Sequence, residues 1–338
     1  MSECKIALIG ATGAVGQVFL SILEERSFPA SDIRLCASER SFGKEIKVRG
    51  EKLIVEEATP QLLSEVDFVF ISASGSVSRQ MAPLAVDQGA IVIDKSSAFR
   101  MDPNVPLVVP EINPGDLHDH HGIIASPNCT TTPMVMALKP LNEANPAKRI
   151  VAASYQSVTG TGASAGEELL AQSRDVLDGK NASMDVYPHQ IAFNVLPHVE
   201  EFLENGYTTE EMKMQNETRK ILHAPDLKVS TTCVRVPVMV SHAEAINVEF
   251  TDPISPGEVR EILSTMPGVR VVDDPQANVY PMPVQSEGED DVFVGRIRKD
   301  ISLDNGIAMW LTCDNLRKGA ALNAIQIAEE MLARNLLQ

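Results

Sequence analysis

The chain has 338 residues, and 29 Lys plus Arg against 46 Asp plus Glu give a formal charge of −17. Such a field argues against a broad nucleic-acid or anionic-membrane surface, yet leaves room for a small anionic substrate held by a few local arginines. The length suits two domains with substantial cores.

No apolar run approaches the roughly 20 residues that span a bilayer. The start, Met1-Ser2-Glu3-Cys4-Lys5, has no basic and apolar leader, which predicts a cytoplasmic protein. Five scattered cysteines (4, 36, 129, 233 and 313) lack Cys-X-X-Cys spacing and predict reduced thiols, neither a disulfide framework nor a zinc site. His118, His120 and His121 read as a solvated loop, so no metal is expected.

In chain order, strand-like Lys5 to Ile9 is followed by a helix from Val15 to Glu25 and a strand from Ile33 to Ala37. Next come a strand from Phe68 to Ala73, a helix from Val77 to Gln88 and a strand from Ile91 to Asp94. This alternation predicts an α/β fold with a Rossmann-type, doubly wound parallel sheet.

Beyond Cys129 the strand-like runs are Arg149 to Val158, Lys228 to Pro237, Ala243 to Phe250, Val292 to Lys299 and Ile307 to Cys313. Fewer helices intervene, which predicts an α+β domain with a mixed, mostly antiparallel sheet. Helices from Gly166 to Leu177, Glu210 to Leu222 and Pro256 to Met266 would cover one face. Helical spacing of Ala321, Ile325, Ala328 and Leu332 predicts a long terminal helix. The expected domains are 1–128, 129–316, and a segment 317–338 that returns to the first.

The most telling stretch is Ser126-Pro127-Asn128-Cys129-Thr130-Thr131-Thr132, where the apolar strand Gly122 to Ala125 enters a cap-rich turn. The helix expected from Pro133 to Leu141 places Cys129 at or beside its N-terminus. Free amides and the helix dipole at that end favour a thiolate, hence a nucleophile.

Near the N-terminus, Gly10-Ala11-Thr12-Gly13-Ala14-Val15-Gly16 joins a strand to a helix, the context in which glycines let a backbone approach a pyrophosphate. After the second strand, Ser38, Arg40 and Ser41 suit a ribose phosphate and favour NADP, although Glu39 keeps NAD open. Arg235 and His242, seven positions apart, offer a carboxylate clamp and a proton-transfer group. Glu217 and Lys220 share a helix face, and Arg100 follows a strand's carboxyl end where open α/β sheets bind ligands.

The pieces GATGAVG, ASERSFGK, DKSSAFR, PLVVPEINP, SPNCTTT, SYQSVTGTG, IAFNVLPHV, NETRKI, CVRVPVMVSH and CDNLRKGAALNA, in this order, resemble the bacterial aspartate-β-semialdehyde dehydrogenases along nearly the whole chain. The resemblance implies a Rossmann-type NADP domain, a catalytic and dimer-forming domain, and a homodimer. It implies NADPH-dependent reduction of L-aspartyl 4-phosphate to L-aspartate 4-semialdehyde with release of inorganic phosphate, on the way to lysine, diaminopimelate, threonine and methionine.

By the same resemblance Cys129 is the acyl-thioester nucleophile, His242 the acid/base residue, Gln156 the group that orients substrate, and Arg235 the α-carboxylate ligand. Glu217 faces the α-amino group, while Arg100, Asn128 and Lys220 match phosphate positions. Thr12 to Gly16, Arg40, Ser41, Thr159, Gly160 and Asn315 match cofactor positions, beside Gly10 and Ser38 read from the strand-turn pattern. A rival enzyme is an N-acetyl-γ-glutamyl-phosphate reductase, which Glu217 disfavours because an acetylated nitrogen carries no charge. A rival of another class is a catalytically silent NADP-binding partner protein.

Overall fold

In the computed structural model, which describes residues 3–337, the chain changes unit between Asn128 and Cys129 and again between Gly319 and Ala320. The first unit opens with β1 (Cys4–Ile9), α1 (Ala14–Glu25) and β2 (Ala30–Cys36), then the pair β3 (Glu45–Val48) and β4 (Glu51–Glu56). It continues through α2 (Pro60–Leu63), β5 (Phe68–Ile71), α3 (Gly75–Asp87), β6 (Ile91–Asp94) and β7 (Ile123–Ala125).

The seven strands lie in the order β3-β4-β2-β1-β5-β6-β7, and every neighbouring pair except β3/β4 is parallel. Strands β5 and β6 are apolar throughout or nearly so and buried at each position, as parallel strands covered on both faces must be. The chain steps from β1 to β2 on one side and resumes with β5 on the other, so β1 ends at a topological switch point.

The β3/β4 hairpin is absent from the sequence expectation. Its two-residue turn, Arg49-Gly50, has positive φ at both positions (51° and 85°). The usual signal for such a turn is Asn or Asp before Gly. Arginine takes the strained place because its guanidinium donates to the carbonyls of Ala30, Leu23 and Phe28.

In the second unit come α4 (Thr131–Ala144), β8 (Ala147–Gln156), α5 (Ala163–Leu177), α6 (Thr209–Ile221), β9 (Lys228–Arg235) and β10 (His242–Phe250). They are followed by α7 (Pro256–Ser264), β11 (Val269–Val271), α8 (Pro283–Ser286), β12 (Val292–Lys299) and β13 (Gly306–Cys313). The six-stranded sheet has the order β11-β12-β13-β10-β8-β9, antiparallel from β12 to β8 and parallel at both edges.

Period-two burial along β9 and β10 sends Cys233, Arg235, His242 and Glu244 to one buried face, and leaves the other half-exposed. Helix α4 is buried all round from Thr131 to Leu138, which is why an amphipathic pattern did not mark its true start two residues before Pro133.

After a π-helical turn at Arg317–Ala321, α9 (Leu322–Arg334) belongs to the first unit. Its Leu322, Ile325, Ile327, Ala328 and Met331 join Phe19, Ile22, Leu23 and Phe70 in one core. Arg26 grips Glu329 with two hydrogen bonds of 2.9 and 2.6 Å. Asn323 donates to the Val108 carbonyl and to Ser126, each at 3.0 Å.

Candidate active site

Strand register assembles the second unit's polar centre. Gln156 pairs with Arg235 across β8/β9, and His242 with Cys313 across β10/β13. The β10/β8 register, Ala243 opposite Tyr155, continues to set His242 opposite Gln156. Arg235, Gln156, His242 and Cys313 therefore form one transverse row, and Cys233, Ser154, Glu244 and Leu311 form the row behind it.

Cys129 stands two residues before the first residue of α4, with its Sγ 3.2 Å from His242 Nε2. Gly319 presses on it from the π-helical turn: a Cβ there would come within 3.1 Å of Cys129 Cβ and 3.2 Å of its carbonyl oxygen. The four other cysteines are buried, and burial pushes each thiol up, to about 12 for Cys4 and Cys36 and likewise well above the ordinary thiol value for Cys233 and Cys313. They stay protonated near neutrality, and Cys129 is the only partly exposed cysteine.

Ser157 ties this centre together. Its main-chain N–H donates to His242 Nδ1 at 3.0 Å, its hydroxyl lies 3.1 Å from the same nitrogen, and its carbonyl accepts from Arg235 Nη1 at 2.6 Å. The hydroxyl also donates to Asn315 Oδ1 at 3.0 Å, and that oxygen accepts the Ser241 N–H at 2.9 Å. Ser241 holds a left-handed backbone (φ 72°) just before His242, a strained conformation that the Asn315 bond stabilises.

Thr159 accepts from Asn315 Nδ2 at 3.3 Å. Gly160 faces the same pair: a Cβ there would lie 3.0 Å from Arg235 Nη1 and 3.2 Å from His242 Nε2. Burial first, and the Arg235 charge second, hold the His242 imidazole well below its usual range, so it is neutral near neutrality.

Arg235 is 5% exposed, and its Nε has no hydrogen-bond partner among the described residues. A buried donor left open beside a cationic guanidinium suits an anionic ligand, since an unpaired group there costs about 1–3 kcal/mol until something accepts from it. Gln156, 1% exposed, donates through Nε2 to Ser154 Oγ (3.1 Å) and to Glu210 Oε1 (3.2 Å). Lys213 reaches the other Glu210 oxygen at 3.3 Å.

The α6 glutamate bonded to Gln156 is Glu210, with Lys213 adjoining it, and Glu217 and Lys220 form a second such pair on the helix. Both Glu-X-X-Lys pairs lie on the same helix face, two turns or about 10 Å apart, so spacing alone cannot choose between them. Helix α6 runs against β9, with Glu211 bonded to Cys233, Gln215 to Val229 and Arg219 to Leu227, so its start lies at the Arg235 end of that strand. Glu217, two turns further along, is 1% exposed.

The first unit holds the other candidates. Gly10 (φ 95°) leaves no room for a side chain, since a Cβ would sit 2.2 Å from the Ser72 carbonyl oxygen; Gly16 would strike Gly10 at 2.3 Å. The turn is therefore tight, and α1 begins at Gly13 with no side-chain cap, so Ala14, Val15 and Gly16 open the helix with amides suited to an anion.

Thr12 Oγ1 lies 3.4 Å from Ser41 Oγ, and Lys44 Nζ is 3.4 Å from the same hydroxyl, a second cation that the sequence reading left unassigned. Ser38 and Arg40 are exposed beside them. Arg100 is buried after β6, donating to the carbonyls of Ser126 (3.0 Å) and Lys95 (2.6 Å), and Asn128 is buried next to the Cys129 turn. Asp94, at the end of β6, accepts from Ser78 and closes the turn that follows by accepting from Ser96.

Residues 5–120 match the semialdehyde dehydrogenase NAD binding domain family, and residues 138–318 the semialdehyde dehydrogenase dimerisation domain family. The aspartate-semialdehyde dehydrogenase of Aquifex aeolicus is 50% identical over 337 residues, covering 98% of this chain and 99% of its own. Among solved structures, aspartate semialdehyde dehydrogenase II of Vibrio cholerae complexed with ASA superposes with a TM-score of 0.96 at 42% identity, covering 98% and 99% of the two chains. The Candida albicans aspartate semialdehyde dehydrogenase with NADP gives 0.77 at 28% identity, covering 99% of each.

Glu244, behind His242, is 1% exposed and neither carboxylate oxygen has a hydrogen-bond partner among the described residues. Burial raises its pKa well above the ordinary carboxylate value, so the folded protein keeps it protonated. The unfolded chain ionises first as pH rises through its ordinary value near 4.5, and stability falls from there up to the folded pKa, by ~1.4 kcal/mol per pH unit. Glu244→Gln should remove that slope: urea midpoints should match wild type near pH 4 and exceed it near pH 8. A wild-type slope that persists in Glu244→Gln would mean another group carries it.

Proposed function

The chain belongs to the aspartate-semialdehyde dehydrogenase family, and we propose that it catalyses the NADPH-dependent reductive dephosphorylation of L-aspartyl 4-phosphate to L-aspartate 4-semialdehyde. That places it in the cytoplasm, at the branch toward lysine and diaminopimelate, threonine and methionine. The compartment agrees with cysteines that form no disulfide among the described residues, and no helix among them is long and apolar enough to cross a membrane. The observation that carries the proposal is the 3.2 Å contact between Cys129 Sγ and His242 Nε2 in a row completed by Gln156 and Arg235.

In this reading Cys129 Sγ bonds to the substrate's acyl carbon, the carbon–oxygen bond to phosphate breaks, and phosphate leaves with the proton that the overall reaction consumes. Arg235, with its open Nε, clamps the α-carboxylate, and Glu217 meets the α-ammonium, with Glu210 beside Gln156 as a second α6 carboxylate. Gln156, held by Ser154 and Glu210, orients the acyl group. Arg100, Asn128 and Lys220 are the family's phosphate positions.

Bound NADPH supplies the hydride that reduces the Cys129 thioester. Its pyrophosphate suits the Gly10 to Gly16 turn and the uncapped start of α1; Arg40, Ser38, Ser41 and Lys44 suit its 2′-phosphate. Thr159, Gly160 and Asn315 are the remaining family cofactor positions. The carboxylate of Glu210 beside Gln156 disfavours an N-acetylated glutamyl substrate, whose nitrogen has no charge to pair. A silent binding protein would have no use for the Cys129–His242 pair.

The half-exposed sheet face of the dimerisation domain supports a homodimer. Tyr155, 36% exposed, packs its ring 5.3 Å from that of Trp310 there, flanked by half-buried Ala153, Val151 and Ala245. A second copy of the chain is the occupant that such a face fits.

Pure protein should reduce NADP with L-aspartate 4-semialdehyde only when inorganic phosphate is present; turnover without phosphate would reject the reaction. Cys129→Ala should abolish turnover and leave NADP affinity unchanged, and Cys129→Ser should lower kcat by at least ~10³-fold. Arg40→Ala should weaken NADP by ~10-fold and leave NAD unaffected, whereas equal loss for both would show that Arg40 does not read the extra phosphate. Tyr155→Glu should shift the sedimentation mass from two chains to one, and an unchanged dimer would move the interface elsewhere.

A further inference from the structure

Resting on the reaction proposed above, we infer that His242 works as a neutral hydrogen-bond donor with its proton on Nε2, and that Ser157 and Asn315 are the positioning residues that hold it so. The argument begins with a donor that cannot turn. The Ser157 N–H belongs to the main chain, and it points at Nδ1 from 3.0 Å. A fixed donor requires a lone pair, so Nδ1 is bare and the proton of the neutral ring sits on Nε2, the nitrogen facing Cys129 Sγ at 3.2 Å.

The Ser157 hydroxyl could rotate to serve either tautomer, but it has its own acceptor in Asn315 Oδ1 at 3.0 Å. The Ser241 N–H fixes which end of that amide presents oxygen, and the amide nitrogen turns to Thr159 Oγ1 at 3.3 Å. Asn315 thereby links Ser157, on one side of the imidazole, to the residue that precedes His242 on the other. Protonating Nδ1 would set two N–H groups face to face, in a buried site beside Arg235.

The chemistry has no need of that second proton. Thiolate attack leaves the thioester, and hydride addition at its carbon turns the carbonyl oxygen into the alkoxide of a hemithioacetal. When this collapses, the carbon–oxygen double bond reforms, the carbon–sulfur bond breaks, and the electron pair returns to Cys129 as thiolate. One negative charge has moved from sulfur to oxygen and back. A donor on Nε2 can follow it by hydrogen bonding alone, while the proton consumed overall ends on phosphate.

The test is the ¹⁵N spectrum of histidine-labelled protein near neutral pH, with the His242 signals identified by their loss in His242→Gln. A bare Nδ1 and a protonated Nε2 are expected; an Nδ1–H tautomer or an imidazolium would overturn the inference. Ser157→Ala keeps the main-chain donor and should keep this signature. Asn315→Ala should give a mixture of tautomers, and a signature unchanged by it would remove Asn315 from the role.

Glutamine can carry an amide N–H to about the position of Nε2, asparagine only to about that of Nδ1. The kcat of His242→Gln should therefore exceed that of His242→Asn by ~10-fold or more, and equal rates would reject donation from Nε2. The spectrum needs no substrate, so a wild-type protein that fails to turn over aspartate semialdehyde would sink the reaction while leaving the tautomer measurable.

Discussion

The register of β9, β8, β10 and β13 is the constraint on which the catalytic centre depends. Side chains alternate across a strand, so a slip of one residue would carry Arg235, Gln156 or His242 to the half-exposed face. The parallel β8/β9 pair and the antiparallel pairs on either side of β10 bring carboxyl-end and amino-end residues of neighbouring strands to one edge. There the Ser157 peptide joins them, with its N–H on His242 and its carbonyl on Arg235. Cys129 reaches the same edge because α4 starts beside it.

Much of this centre is polar and buried. Arg235 Nε and both oxygens of Glu244 are buried without partners among the described residues, each at a cost that apolar side chains would avoid. The two cases differ in what could repay the cost. An anionic substrate can accept from Arg235, whereas Glu244 faces the second row of the sheet and is relieved by keeping its proton. Neutral carboxyl, neutral imidazole and protonated neighbouring thiols leave the Arg235 guanidinium and the Glu210–Lys213 pair beside Gln156 as the charges of the site.

What could be read from the sequence was set by how local the cause was. The Cys129 turn announced itself because capping residues and a following helix are consecutive in the chain, and β6 and β12 fell at their expected limits because their apolar or alternating runs end in abrupt polar turns. The bond from Gln156 to Glu210 was not legible because it depends on which way α6 lies along β9, a fact absent from either segment alone. Lys44 went unassigned because its approach to Ser41 follows from the turn that leads into β3, and the β3/β4 hairpin was missed because an arginine stabilised by three distant carbonyls replaces the usual turn residue. Ser157 lay inside the SYQSVTGTG piece with no role assigned to it, since the bonds that join His242 and Arg235 are made by its backbone.

The return of α9 to the first unit has a consequence for how the chain matures. On a ribosome the strands β1 to β7 emerge first, but the surface formed by Phe19, Leu23 and their neighbours waits for Ile325, Ala328 and Met331, which emerge after the whole second unit. The second unit, by contrast, is continuous and can close its sheet as soon as β13 is free. Synthesis order and completion order are thus inverted: the unit made first is finished last, and its sticky apolar face must be shielded while nearly two hundred residues are added.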